Sequence, residues 1–252
     1  MSLLRRLRNV LKYGRGEGAR SRKRADKLRS KRERFESGDW EQEGLLARRR
    51  YGSYEEYVAH QRSKLPGIID RLRETDPEEF EEFRARFASC SALAEARSVL
   101  CLGARLGSEV RALHALGHFA VGVDLEPGPR NSWVLPGDFH ALVFPDASVD
   151  AVYTNAIDHG FDLDRMIGEV QRVLRPGGCF LAEIDKGTDE GGLPGDFEAI
   201  HWTRADAVIE RIAKSGAFEV EEVRGLGHTR RGLRSLVVFR KAPRPPLDRP
   251  GP

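Results

Sequence analysis

Three places in the 252-residue chain combine residue types suited to holding and transforming a charged small molecule. The first is Val99-Leu-Cys-Leu-Gly-Ala-Arg-Leu-Gly107, an apolar run that passes directly into a glycine loop and then a helical pattern. Glycine allows a tight turn and close approach of backbone to ligand, and the helix start beyond it offers free amides to a negative group. The second is Val121-Gly-Val-Asp124, an apolar run ending in an acid 17 residues after Gly107. An acid at about that distance, at a strand end, is placed to accept hydrogen bonds from ribose hydroxyls. The third is Thr154-Asn-Ala-Ile-Asp-His159. It follows another apolar run and presents His159 and Asp158 as candidate proton acceptors, His159 first because its unperturbed pKa lies near neutrality.

These residues need a scaffold, and the pattern between residues 97 and 242 supplies one. Apolar runs at Ser98–Leu102, Phe119–Asp124, Val149–Thr154 and Cys179–Ile184 alternate with helical patterns at Gly107–Leu116, Asp162–Leu174 and Thr203–Lys214. A short strand is expected near Trp133–Leu135, a turn at Pro176-Gly-Gly178, and two final strands at Phe218–Arg224 and Arg234–Arg240. Repeated β-α-β order implies a doubly wound, mostly parallel sheet with helices on both faces, an α/β fold of Rossmann-like type.

The order of landmarks resembles the class I S-adenosylmethionine-dependent methyltransferases, specifically the type 11 domain. The glycine loop is similar to that family's first motif, Asp-Leu-Gly-x-Gly-x-Gly, with Cys101 in place of the acid and Arg105 in place of the middle glycine. Asp124 matches the ribose-binding acid, and Gly137-Asp-Phe139 the segment that meets adenine. Glu169-Val-Gln-Arg-Val-Leu-Arg-Pro-Gly-Gly178 is close to the signature E-x-x-R-V-L-K-P-G-G. The resemblance implies an enzyme with S-adenosyl-L-methionine as cofactor and an antiparallel last strand. It implies a cofactor site of Gly103, Ala104, Arg105, Gly107, Asp124, Leu125, Asp138, Phe139 and Asn155. Arg105 is expected to pair with the methionine carboxylate, because arginine–carboxylate contacts are strong and directional. The same arginine argues against a nicotinamide enzyme, whose pyrophosphate needs the glycine it replaces. A non-catalytic binding module on this fold is the remaining rival.

The acceptor is expected to be a small molecule or glycan, at a hydroxyl or carboxyl. Asn155 is followed by Ala-Ile-Asp, not by the two prolines and aromatic common in methyltransferases of nucleobase amino groups. No metal is expected, since His114 and His118 have helical spacing but no completing ligand.

Outside this domain the charge is uneven. Residues 1–50 form a basic, partly disordered arm beneath a modest net charge of +3. Its first residues, Met1–Tyr13, read as an amphipathic helix suited to an anionic membrane surface; nucleic-acid binding through phosphates is the alternative. Residues 51–96 read as a helical cap. Ser53 caps one helix to about Ile69, Pro66-Gly67 interrupts it, and Asp76-Pro77 starts another with Phe80, Phe83 and Phe87 on its apolar face. Tyr57, His60, Gln61 and Lys64 are its candidate lid contacts. Residues 243–252 are a Pro-rich tail. Three widely spaced cysteines and no span of about 20 apolar residues fit a reducing cytoplasm.

Overall fold

The computed structural model describes residues 39–229 and 232–243, together with 26, 29–33 and 35–37. The expected amphipathic helix at Met1–Tyr13 and most of the Pro-rich tail lie outside the described residues.

Residues 29–33 and 35–36 are helical, and ten strands and four helices organise residues 39–243 of the described chain. In sequence order they are β1 (Trp40–Glu43), β2 (Leu46–Arg49), α1 (Tyr54–Ala88), β3 (Ser98–Leu102), α2 (Ser108–Ala115), β4 (Phe119–Asp124), β5 (Val134–Pro136), β6 (Val149–Thr154), α3 (Leu163–Val173), β7 (Leu174–Asp185), β8 (Ile200–Trp202), α4 (Ala205–Gly216), β9 (Phe218–Thr229) and β10 (Gly232–Lys241). Seven of the strands form one sheet in the order β5-β4-β3-β6-β7-β10-β9. The first five run parallel, and β10 is antiparallel to both β7 and β9. This is the doubly wound sheet the alternating pattern predicts. Its central strands bury both faces. Val99, Leu100, Cys101 and Leu102 of β3 are all buried, as continuous apolar runs in parallel sheets require.

The strand order locates the ligand crevice. The chain winds outward from β3 to β4 to β5, then returns to place β6 on the other side of β3. Ligands in such sheets bind beyond the carboxyl ends of the strands where the order reverses. Leu102 of β3 pairs with Thr154 of β6 at that point, so Gly103 and Asn155 emerge side by side.

Two features depart from the sequence reading. First, α1 is one 35-residue helix running through Pro66 and Pro77, not two. Ser53 caps it as expected, its hydroxyl accepting the Glu56 amide at 3.2 Å. Both prolines, with Gly67, are exposed, so the carbonyls one turn back that lose their partners face water. The buried face, Tyr57, Gln61 and Leu65 followed by Phe83 and Phe87, holds both halves on the domain. Second, residues 40–49 of the arm fold into a hairpin, turning at Gly44 with φ +64°, and β2 pairs antiparallel with β8. Only Trp40 and Ala47 of that hairpin are buried, and Arg49 lies over the Trp40 ring at 4.8 Å. The expected turn at Pro176-Gly-Gly178 is absorbed into β7, with a register shift against β6 and Gly177 at φ +78°.

Candidate active site

A cavity of about 700 Å³ opens at the predicted crevice. Its floor is the β3–α2 loop, Gly103 to Leu106, with the ends of β4 and β6; its roof is one face of α1. Of the residues expected at the site, Gly103, Ala104, Arg105, Asp124, Leu125, Phe139, Asn155, Asp158 and His159 all line it. Gly107 and Asp138 do not.

Gly107 caps α2 with φ +80°, and a Cβ there would stand 2.9 Å from the Trp133 Cβ, so its work is structural. Asp138 accepts from the Tyr54 hydroxyl and from the His140 backbone and ring. Burial would raise its carboxyl, but the His140 and Tyr54 hydrogen bonds outweigh that and hold it down at about 2. It anchors α1 beside Phe139 and stands behind the cavity wall.

Gly103 has φ +71°, and a Cβ would stand 2.6 Å from the Ala156 methyl. Gly103→Ala combines a left-handed backbone penalty with a collision in the cavity floor. We expect it to cost roughly 2–3 kcal/mol in urea unfolding and to weaken cofactor binding. Adding Ala156→Gly restores part of the stability; if it restores none, the collision is not the cause.

Asp124 holds the loop. Its Oδ2 accepts the Arg105 amide at 3.0 Å and its Oδ1 the Glu126 amide at 2.8 Å. Burial pushes its carboxyl up, and the nearby Arg105 charge and those two amides pull it back. Arg105 keeps the left-handed backbone, φ +43°, of the glycine it replaces in the motif. Its Nη1 is buried without a partner, as is the Asn155 Nδ2. Two buried donors and a buried carboxylate thus converge on a floor too close for any side chain at Gly103. That set fits S-adenosylmethionine, which carries a carboxylate for the donors and ribose hydroxyls for the acid.

At the other end, α1 grips two segments. Tyr57 donates to the His159 carbonyl at 2.9 Å, Gln61 to the Phe197 carbonyl at 2.7 Å, and the Lys64 Nζ lies 2.9 Å from the His159 Nε2. The spacing of four and then three residues puts all three on one helix face. The His159 Nδ1 lies 2.9 Å from the Phe197 carbonyl. A carbonyl only accepts, so Nδ1 carries the proton and Nε2 its lone pair. Burial and the Lys64 charge push the imidazole down to about 3. A nitrogen held by an ammonium, on so weak a base, is poorly suited to take a proton from a hydroxyl.

Glu198 and Arg234 also line the cavity and have no local sequence signal, since they come from the loop before β8 and from β10. Asp158, His159 and Glu198 bring ligand-type atoms within 4.8 Å of one another, with Lys64 beside them.

The buried histidines give the fold an acid weakness. His159 is held at about 3, and burial with Lys31 lowers His201 to about 4. Both lie below the unfolded value of about 6.5, so the unfolded chain binds more protons in that interval. Their stabilising effect is whole above about pH 6.5 and is lost as pH falls toward 4 and then 3. We expect the thermal midpoint to drop between pH 7 and pH 5, and His201→Phe to flatten that slope. An unchanged slope removes His201 from the account.

The comparisons with known proteins agree with this geometry. Residues 100–182 match the model of a methyltransferase domain. The matched residues carry the cavity floor and are similar to class I S-adenosylmethionine-dependent methyltransferases. A probable S-adenosylmethionine-dependent methyltransferase of Mycolicibacterium smegmatis is 34% identical over 95 residues, covering 36% of this chain and 37% of that protein. A fatty-acid O-methyltransferase of the same organism is 37% identical over 110 residues, 42% of this chain and 36% of its own length. The chain thus spans little more than a third of these curated relatives. In fold it is similar to a Burkholderia thailandensis 1,6-didemethyltoxoflavin-N1-methyltransferase solved with S-adenosylhomocysteine bound, with a TM-score of 0.61 at 17% identity, covering 81% of this chain and 100% of that one. No described helix is long and apolar enough to cross a membrane, and Cys90, Cys101 and Cys179 are free and buried.

Proposed function

We propose that the chain transfers a methyl group from S-adenosylmethionine to an oxygen of a small-molecule acceptor. The observation that carries this reading is the cavity floor, where Asp124, Arg105 and Asn155 meet around a Gly103 that has no room for a side chain. When bound, the cofactor supplies a methyl group on a positively charged sulfur, a leaving group already activated. Asp124 receives the ribose hydroxyls, and Leu125 and Phe139 wall the adenine. Arg105 and Asn155 donate to the methionine carboxylate. His159 and Asp158 border the acceptor, with His159 holding Lys64 in place. The protein's main contribution is alignment, which is able to supply several kcal/mol.

The names of the relatives span acceptor atoms. They include a fatty-acid O-methyltransferase, a malonyl-[acyl-carrier protein] O-methyltransferase and sterol C-methyltransferases. The Lys64 cation at the acceptor end favours oxygen among these.

Calorimetric titration with S-adenosylmethionine and S-adenosylhomocysteine, with NAD as control, tests the cofactor. Saturable binding of the first two alone is expected; no binding of either turns the reading to a fold that has lost its cofactor. A second reading rests on Lys31, which reaches the cavity wall from the basic arm. It is an acceptor that is itself polyanionic, an RNA or a molecule presented at an anionic membrane surface. Steep loss of RNA or vesicle affinity with salt would favour it.

A further inference from the structure

We propose that the acceptor oxygen carries negative charge when it is methylated, and that Lys64 is the residue that holds it. This rests on the methyl-transfer reading of the site and specifies its acceptor chemistry.

His159 is the residue a hydroxyl acceptor would be expected to use as a base, yet both ring nitrogens are engaged, Nδ1 with the Phe197 carbonyl and Nε2 with the Lys64 ammonium. The site therefore offers a positioned cation where a strong base would stand. A cation at the reacting oxygen lowers the barrier by stabilising charge, and it acts most strongly in a cavity shielded from water. An acceptor that arrives ionised, or that ionises readily beside a cation, needs nothing further.

Lys64 is built into that position. The Tyr57 and Gln61 bonds fix the same helix face, and the Lys64 Nζ lies 5.4 Å from the centre of the Phe197 ring. The ring of Phe197 is in turn stacked on His60 at 4.9 Å. The Phe197 carbonyl receives both Gln61 and His159, so one loop residue sets the helix and the imidazole together. An ammonium has three N–H donors, and the one directed at Nε2 is the one an oxyanion would take over. His159 then serves as the place where Lys64 rests between acceptors.

Asp158, one of the neighbouring acids, has a second cation to answer it. Asp158 lies within the field of the buried Arg234, which is also paired with Asp185 and Glu183. The cavity wall carries five basic residues, Lys31, Lys64, Arg71, Arg105 and Arg234, against five acids, so position decides. Arg105 belongs to the cofactor end, and Lys64 is the cation in contact with His159. Asp158, His159 and Glu198 bring ligand-type atoms together beside Lys64, and the contact shown there is that of the ammonium with the imidazole.

In the transfer step the acceptor oxygen forms the new bond to the methyl carbon as the carbon–sulfur bond breaks, and the electron pair of that bond stays on sulfur. The negative charge of the oxygen and the positive charge of the sulfur are both consumed. A carboxylate gives a methyl ester and a phenolate or enolate an ether; the shared requirement is an oxyanion.

The test uses protein saturated with S-adenosylhomocysteine and follows the ring nitrogens of His159 by nitrogen-15 NMR. Acetate and p-nitrophenolate, each small enough for the cavity, are titrated at pH 8, with acetamide and trimethylamine as controls. We expect a saturable shift of Nε2 with at least one oxyanion, as Lys64 leaves it, no shift with the controls, and no response in Lys64→Gln. Lys64→Gln should bind S-adenosylhomocysteine within about threefold of the parent while transfer falls at least about a hundredfold. Transfer is read with tritium-labelled S-adenosylmethionine and a small-molecule extract. Methyl label released as methanol by mild alkali marks a carboxylate acceptor, and alkali-stable label on oxygen marks a phenolate or enolate. Silence of His159 to both oxyanions overturns the proposal, as does label on nitrogen or carbon. A tenfold loss of S-adenosylhomocysteine affinity in Lys64→Gln would also overturn it, by placing Lys64 at the cofactor. Failure of the parent protein to bind S-adenosylhomocysteine is a different result and strikes the methyl-transfer reading itself.

Discussion

Asp124→Ala should weaken S-adenosylmethionine binding by about a hundredfold, the largest binding effect expected of a single change here. Two causes add. The carboxylate that accepts the ribose hydroxyls is gone, and hydrogen bonds to a charged group are worth about 1.5–3 kcal/mol each. The Arg105 and Glu126 amides also lose the oxygens that fix the loop, at 3.0 Å and 2.8 Å. The glycine floor then loosens, so part of the loss is in preorganisation. Asp124→Asn separates the two causes poorly but predicts something specific. Each carboxylate oxygen faces a backbone N–H, so an amide must turn its NH2 toward one of them. The asparagine variant should therefore bind weakly too, instead of behaving as a mild replacement. Calorimetry with S-adenosylhomocysteine measures both. If either variant binds within threefold of the parent, Asp124 is not the ribose acid.

Much of this floor was legible in the sequence because local chemistry determines it. Strand, glycine loop and acid follow one another within 26 residues, and the Asp124 carboxylate binds the loop's own amide at Arg105. The β3, β4 and β6 limits come out as expected, since continuous apolar runs bounded by glycine and acid admit few alternatives. What was not legible depends on tertiary packing. Pro66-Gly67 reads locally as a helix break and Asp76-Pro77 as a new helix start, yet exposure of both prolines and burial of Leu65, Phe83 and Phe87 let one helix continue. The β1–β2 hairpin is charged at Glu41, Glu43, Arg48 and Arg49, and Trp40 and Ala47 are too few to show an alternating pattern. Its order comes from β8, some 150 residues away. Tyr57, Gln61 and Lys64 were visible as a helix face, but their partners, His159 and Phe197, were not. Glu198 and Arg234 enter the cavity from loops and strands with no motif of their own. The same split explains Asp138, whose motif position suggested the cofactor while Tyr54 of α1 claims it.

Arg86→Met should be the most destabilising single change outside the cavity, at roughly 3 kcal/mol in urea unfolding. Arg86 lies in the last turn of α1, and its Nη1 meets the Glu183 Oε1 of β7 at 2.5 Å, with both side chains buried. The Tyr153 hydroxyl of β6 donates to the same oxygen, and Arg234 of β10 stands 3.6 Å from the other. One carboxylate thus ties the helix to three strands. Removing the arginine leaves a buried anion with weaker compensation, which costs more than the pair contributes over an apolar substitute. Tyr153 and Arg234 keep part of that charge satisfied, which holds the expected loss near the lower end of the 3–5 kcal/mol range for broken buried pairs. The decisive comparison is Arg86→Met with Glu183→Gln. If charge burial is the cause, the double variant is more stable than Arg86→Met alone, although it lacks both ionic groups. If packing of the arginine over Phe83, 5.1 Å from the ring centre, is the cause, the second change adds a further loss. Because Lys64 and Arg86 lie six turns apart on one helix, S-adenosylhomocysteine affinity should change little in Arg86→Met at temperatures where it stays folded. A large loss would show that the whole of α1 moves as a unit over the cavity.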